Sequence, residues 1–179
     1  WLMYHVDGKD SVAELIDVPR PDVGAPSPMI VCDEAHLLLA YLVNEQHCAW
    51  ESDSVLNLSG ETGEHIAIVT LHHPTAHMFG LPNDETLSGH PLYSRGLRWY
   101  SVWEVQASSW IHQFERVNAV HEQHSPQRFL ANKRHFIFTF HDSTFECIAH
   151  GFTYKVVRAS FSDAIMKMAE TLHQGWMSP

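Results

Sequence analysis

The stretch HFIFTFHDSTFECIAH, residues 135–150, decides the fold of this chain because it alternates as the two strands of a β-hairpin do. Side chains along a strand point to opposite faces in turn. Phe136, Phe138 and Phe140 therefore share one face, and the intervening His135 and His141 lie on the other. The pattern predicts a hairpin with one aromatic face and one face that carries ionisable groups.

The turn of this hairpin is predicted from Asp142, Ser143 and Thr144, which are turn-forming residue types. A loop of two or four residues there sets His141 opposite Glu146. A three-residue loop would instead place the glutamate among the phenylalanines, where an unpaired carboxylate is costly to bury. We therefore expect His141 and Glu146 to be cross-strand partners.

The ionisable face of the hairpin is the first candidate site. It gathers three imidazoles and one carboxylate, from His135, His141, Glu146 and His150. Such a set can ligate a divalent metal such as zinc. Alternatively, His141 and Glu146 can form a general acid/base pair in which the carboxylate holds the tautomer of the imidazole. A third possibility is an ordinary cross-strand pair on a solvated face, worth less than ~1 kcal/mol.

The segment 72–97 is the second candidate site, because it is long and rich in Gly, Pro, His and Asn. A long irregular connection inside a compact domain is often a lid or a binding loop. The side chains predicted to bind a ligand are those of His77, Asp84, His90 and Arg95. The alternative is a surface loop held only by its own hydrogen bonds.

The remaining elements predict an α+β fold with a mostly antiparallel sheet and two main helices packed on one face. The expected strands cover residues 29–32, 37–43, 65–71 and 98–105, besides the hairpin and its continuation over 152–157. The first helix is expected from Trp110 to about Gln123 with Ser109 as its N-cap, and the last helix ends at Gly175.

Two turn-rich Pro-X-Pro triplets lie within residues 1–28 and predict an irregular, acidic N-terminal arm. Residues 29–179 are then expected to form a single α+β domain.

Composition limits the classes of function. Hydrophobic residues make up 45% and charged residues 18% of the 179 residues, which is typical of a soluble globular protein without a membrane span. A net charge of −10 opposes binding to nucleic acid. The three cysteines, Cys32, Cys48 and Cys147, show no CxxC spacing and predict reduced thiols in a cytoplasmic protein.

Two functional hypotheses follow. The first is a non-enzymatic binding or assembly module whose partner is another protein or a second copy of the chain. It depends on the acidic arm and on Trp1, Trp50 and Trp176, since tryptophan is a favoured interface anchor. The second is a metal- or histidine/glutamate-dependent hydrolase-like enzyme, with its site on the 135–150 hairpin under the 72–97 loop.

Overall fold

The computed structural model describes residues 4–45, 56–57 and 63–177. The strands are β1 (Ser11–Glu14), β2 (Met29–Cys32), β3 (Leu37–Leu42), β4 (Leu56–Asn57), β5 (Glu64–His72), β6 (Ala76–Gly80), β7 (Val102–Gln106), β8 (Arg134–Thr139), β9 (Thr144–Ala149) and β10 (Gly151–Ala159). The α-helices are α1 (Ser109–Asn118), α2 (Pro126–Leu130) and α3 (Phe161–Met177). The predicted α+β class is confirmed.

The chain divides into two compact units, each with its own five-stranded sheet. The first unit combines the described residues up to Leu15 with Thr75–Gly151, and the second combines those of Ile16–Pro74 with the chain from Phe152 onward. One sheet was expected. The chain leaves the first unit after β1 and returns to it at β6, so each unit is built from two separated stretches of the sequence. The predicted single domain over 29–179 stays a prediction.

The first unit has the strand order β1-β7-β8-β9-β6, and all its neighbouring strands are antiparallel. The hairpin β8–β9 was predicted, and so was the division of its side chains between two faces. Phe136, Phe138 and Phe145 lie on one face, whereas Ile137 and Glu146 lie on the other. Side chains on both faces are buried. The ionisable face is therefore part of the core and not a solvated surface.

The predicted register of the hairpin is wrong by four residues. Glu146 pairs with Ile137, and Thr139 pairs with Thr144, so that residues 140–143 form the loop. The amide of Phe140 closes this loop by donating to the carbonyl of Ser143 at 2.9 Å. A shift of an even number of residues leaves every side chain on its predicted face. His141 lies in the loop and is not the partner of Glu146.

The second unit has the strand order β2-β3-β5-β10-β4. β3 pairs antiparallel with β2 and β5, which confirms the predicted strand at residues 37–43. β4 adds a parallel pairing with β10. Helix α3 packs against β2 and β5, where Ala164 and Met168 are fully buried. The apolar stripe of α3 and the buried face of the sheet together form the core of this unit.

Several expectations need correction. The N-terminal arm contains strand β1, which pairs with β7 and belongs to the first unit. The 72–97 segment is not one irregular loop, since it contains β6 and two short 3-10 turns, Leu87–Gly89 and Tyr93–Arg95. The predicted helices do not share one sheet face, because α1 packs on β8 in the first unit and α3 belongs to the second.

The boundaries of three elements also differ from prediction. The strand predicted over 98–105 begins only at Val102, and α1 ends at Asn118. Helix α3 continues to Met177, beyond the predicted end at Gly175. Within the described residues, no helix is long and apolar enough to cross a membrane.

Candidate functional site

A buried carboxylate lies at the centre of the first unit. Glu146 of β9 is 1% exposed and accepts hydrogen bonds at both of its oxygens. His90 Nε2 lies 3.0 Å from Oε1, His135 Nε2 lies 3.0 Å from Oε2, and the Tyr4 hydroxyl donates to Oε2 at 2.8 Å. The three donors come from β8, the N-terminal segment and the turn after Gly89. The carboxylate is thus surrounded by donors from distant parts of the chain.

The outer ring nitrogens of the two histidines fix their tautomers. The amide of Leu92 donates to Nδ1 of His90 at 3.1 Å, so the ring proton of a neutral His90 lies on Nε2. Nδ1 of His135 lies 2.9 Å from the hydroxyl of Ser108, which can donate to it. Both imidazoles then present an N–H to Glu146. With the Tyr4 hydroxyl, the carboxylate receives three donors.

The electrostatics of this cluster favour the ionised glutamate. Burial raises the pKa of Glu146, but the hydrogen bonds from His135 and His90, together with the electrostatic effect of the same two side chains, outweigh burial and lower the pKa to about 2. Burial, followed by the charge of Glu146, raises the pKa of Tyr4 well above its usual value. Tyr4 therefore stays protonated and remains a donor.

Aromatic rings close the cluster to solvent. The Tyr4 ring stacks on Trp110 of α1 at a centroid distance of 5.4 Å, and Trp110 meets His135 edge-on at 5.0 Å. His90 and His135 are buried to 3% exposure or less. No substrate can reach the carboxylate in this conformation. What the cluster can do is hold the N-terminal segment and the turn after Gly89 against α1.

A cleft lies beside this cluster on the surface of the first unit. It is about 590 Å³ in volume and is lined by eight residues: Tyr4, His5, Val6, Pro91, Ser94, Arg95, Gln113 and Arg116. The described part of this lining contains two guanidinium groups and one imidazole and no carboxylate. The cleft is thus a cationic concavity on a chain whose net charge is −10.

Among the residues that the structure describes, neither arginine of the cleft has an acidic partner within hydrogen-bonding distance. Arg95 donates to the carbonyls of Gly8 and Asp7, both at 3.3 Å. The Arg116 side chain makes no hydrogen bond or ion pair with any of the residues that the structure describes. Guanidinium groups with unused donors bind carboxylate or phosphate oxygens well. The cleft can therefore receive an anionic group.

A second polar cluster lies on the surface near the hairpin loop. Nδ1 of His141 lies 2.8 Å from Asp84 Oδ2, and the Tyr100 hydroxyl donates to the same oxygen at 2.5 Å. Tyr100 has a left-handed backbone with φ of +54°, which is uncommon for a residue other than glycine. Burial and the hydrogen bond to Asp84 raise the pKa of Tyr100 to about 12. Nε2 of His141 lies 3.9 Å from Oδ1 of Asp142, whose side chain is exposed.

The four predicted ligand-binding residues of the 72–97 segment do not form one site. His77 lies on the edge strand β6 and stacks on Phe145. Asp84 binds His141, His90 binds Glu146, and Arg95 lines the cationic cleft. Burial lowers the pKa of His77, so its imidazole is the less readily protonated. Of the four, Arg95 is the residue placed to meet a ligand.

The predicted metal site is not assembled as expected. Of its four ligands, His135 and Glu146 are in contact, but the register places His141 and His150 beyond opposite ends of the hairpin. Among the residues the structure describes, no group of three or more His, Cys, Asp or Glu is arranged to hold a metal ion. The predicted pair of His141 with Glu146 is replaced by His141 with Asp84.

Three residues of these sites were not predicted: Tyr4, Ser108 and Arg116. Tyr4 and Arg116 stand outside any motif, and their roles depend on contacts with distant segments. Ser108 could have been found, since a serine precedes the helix, but Ser109 was chosen as the N-cap. The observed N-cap is Ser108, whose hydroxyl accepts from the amide of Ile111. Ser109 binds Asp10 instead.

Comparisons of this chain with protein-family models, with curated proteins and with solved structures found no significant match. A function for it is therefore argued from the chemistry of its sites.

Proposed function

We propose that this protein is a binding module that takes up a small anionic ligand in the cleft of its first unit. The observation that carries the proposal is the lining of that cleft. It combines Arg95, Arg116 and His5 without a carboxylate, on a chain of strongly negative net charge. The net negative charge of the chain repels anions at long range. A local concavity with cationic side chains is therefore a place on the surface where an anion is attracted.

The walls of the cleft suit recognition of an anion by direct hydrogen bonds. Ser94 and Gln113 add polar side chains to those of the two arginines, and Val6 and Pro91 supply apolar surface. Ligand pockets commonly combine an apolar lining with a few placed polar groups. The volume of about 590 Å³ fits a small molecule better than a folded partner.

The buried cluster keeps one wall of this cleft in place. Tyr4 lines the cleft, and its hydroxyl donates to Glu146. Glu146 therefore influences ligand binding by holding Tyr4 in position, and it does not contact the ligand itself. This arrangement supports a binding module, because the hydrogen-bond network around Glu146 is buried and a substrate cannot reach it.

The proposal is tested by isothermal titration of the full chain with inorganic phosphate. We expect Arg95→Gln and Arg116→Gln each to weaken phosphate binding about tenfold, which corresponds to ~1.4 kcal/mol. The matched control is Arg128→Gln on α2, which removes the same charge from a different surface. An unchanged affinity in the two cleft variants, an equal loss in the control, or no phosphate binding by the unmodified chain would overturn the proposal.

A second function is favoured by the Asp84–His141 pair. A carboxylate that holds Nδ1 of a histidine leaves Nε2 as a general base or nucleophile. The side chain of His141 is 43% exposed, and the strained backbone of Tyr100 beside it is of a kind that clusters at functional sites. We propose, as the alternative, a histidine-dependent hydrolase that uses His141 with Asp84 in place of Glu146.

Hydrolysis of an activated aryl ester tests this alternative. Nε2 of His141 attacks the ester carbonyl, the aryl oxide leaves, and water hydrolyses the acyl-imidazole to a carboxylic acid and the free histidine. We expect His141→Ala and Asp84→Asn to lower the rate. The matched control is His36→Ala, because His36 forms a similar pair with Asp33 at 2.9 Å. If His36→Ala lowers the rate as much as His141→Ala does, the hydrolysis is the background reaction of surface imidazoles and the alternative is refuted.

A further inference from the structure

A second cavity adjoins the cationic cleft in the first unit. It is about 340 Å³ in volume and is lined by seven residues: His5, Asp7, Lys9, Ala107, Ser109, His112 and Arg116. Two of these residues, His5 and Arg116, also line the cleft. The two concavities therefore share a wall formed by His5 and Arg116.

The second cavity, like the first, is lined by several basic side chains. Lys9 and Arg116 are cationic, and His5 and His112 supply two imidazoles. Asp7 is the one carboxylate of this lining, and its Oδ1 already accepts from the backbone amide of Lys9 at 2.7 Å. Over the two concavities, three permanent cations face one carboxylate. An excess of this size fits a ligand with more than one negative charge.

The N-terminus of helix α1 does not account for this attraction. Asp10 is 1% exposed and accepts from the amide of Ser109 at 2.8 Å and from its hydroxyl at 2.5 Å. The same carboxylate accepts from the amide of Asp7 at 3.1 Å. The first donors of the helix are therefore used internally. The side chains of Lys9 and Arg116 remain as the groups that can bind an anion in the second cavity.

We propose that the cleft and the adjoining cavity bind one small ligand that carries two phosphate groups. One group lies in the cleft with Arg95, the second lies in the cavity with Lys9, and Arg116 at the shared wall contacts both. This inference rests on the proposed function, since it names the class of anion taken up by the same cleft. The planar fork of a guanidinium matches phosphate oxygens, and an ammonium binds phosphate as a point charge.

Titration with pyrophosphate and with inorganic phosphate, at equal ionic strength and without added metal, tests the inference. Two linked groups gain from effective concentration, so pyrophosphate should bind at least about tenfold more tightly than phosphate. Lys9→Gln should weaken pyrophosphate binding about fivefold and leave phosphate binding within about twofold. Arg116→Gln should weaken both. The charge-matched control is Lys167→Gln on α3, where Lys167 pairs with Glu170.

Four outcomes would overturn the inference and leave the anion-binding function standing. The first three are a pyrophosphate affinity no higher than that for phosphate, an unchanged affinity for pyrophosphate in Lys9→Gln, and an equal loss of that affinity in Lys167→Gln. A fourth is that succinate binds as tightly as pyrophosphate and depends equally on Lys9, which would assign the site to dicarboxylates. Failure of both phosphate and pyrophosphate to bind would instead remove the proposed function as well. Circular dichroism spectra and melting curves establish that each variant is folded.

Discussion

Nε2 of His135 lies 3.0 Å from Oε2 of Glu146, with both side chains buried between the hairpin and helix α1. A charged carboxylate in a core is costly unless its oxygens are fully paired. Glu146 meets this condition with two imidazoles and one phenol. The pair therefore stabilises the core of the first unit. It also supports one wall of the neighbouring cleft, because Tyr4 lines that cleft and donates to Glu146.

Replacing Glu146 by glutamine should strongly destabilise the protein. The neutral amide removes the charge that the three donors surround and turns an N–H₂ group toward one of them. We expect the free energy of unfolding to fall by about 1–3 kcal/mol, because a buried donor is left without an acceptor. Urea denaturation measures the change. The control Glu170→Gln removes an exposed ion pair and should cost less than ~0.5 kcal/mol; an equal loss would refute a special role for Glu146.

The same carboxylate should make stability depend on acid pH. Its pKa is lowered from 4.5 to about 2 in the folded protein, so the folded state holds its proton less tightly than the unfolded chain. The stabilisation is then fully present above about pH 4.5 and is lost as the pH falls toward 2. Denaturation of the unmodified chain and of Glu146→Gln, measured across this range, should give stability differences that shrink with acid. A constant difference would contradict the assignment.

Removing the Tyr4 hydroxyl should separate its hydrogen bond from its packing. Tyr4→Phe keeps the stacking on Trp110 but deletes the donor to Glu146, and hydrogen bonds to charged groups are worth about 1.5–3 kcal/mol. The measurement is again the free energy of unfolding. Tyr154→Phe is the matched control, since the exposed Tyr154 hydroxyl donates to the carbonyl of Asp17. Similar small losses in both variants would mean that the N-terminal segment is not held through Glu146.

The two cysteines described by the structure should differ in reactivity. Cys147 is fully buried, and burial followed by the nearby charge of Glu146 raises the pKa of its thiol. Cys32 is exposed. Because the thiolate is the reactive form, an alkylating reagent should label Cys32 in the native protein and Cys147 only after unfolding. Peptide mass spectrometry measures both in a Cys48→Ser background, and rapid native labelling of Cys147 would be inconsistent with its burial.

Gly63→Ala should destabilise the second unit. A Cβ at this position would lie 2.8 Å from the backbone nitrogen of Ala159, where backbone and not a flexible side chain must move. Overpacking of this kind costs about 1–3 kcal/mol. Gly89→Ala is the control, because its added Cβ meets nothing within 4 Å. Thermal denaturation of the two variants should therefore show a lower melting temperature for Gly63→Ala alone.

Much of the local structure could be predicted from the sequence. The β-branched residues at 65–71 and the alternation at 135–150 both form strands, and serine-capped apolar stripes form α1 and α3. Of the predicted site residues, Arg95 and Asp84 could be singled out as polar side chains in an unusual segment. Their partners could not, because Asp84 meets His141 and Arg95 meets the N-terminal segment only in the folded chain.

The sequence by itself determined which side chains of the hairpin share a face, because alternation along a strand is a local steric property. Only the tertiary structure decided what covers those faces. Tyr4 and His90 reach Glu146 across 142 and 56 positions of sequence. The register that buries Glu146 beside His135, instead of beside His141, is the one in which three distant donors can satisfy the carboxylate. The spacing of the hairpin places His135 on the same face as Glu146, but the contacts with Tyr4 and His90 depend on the packing of the whole unit.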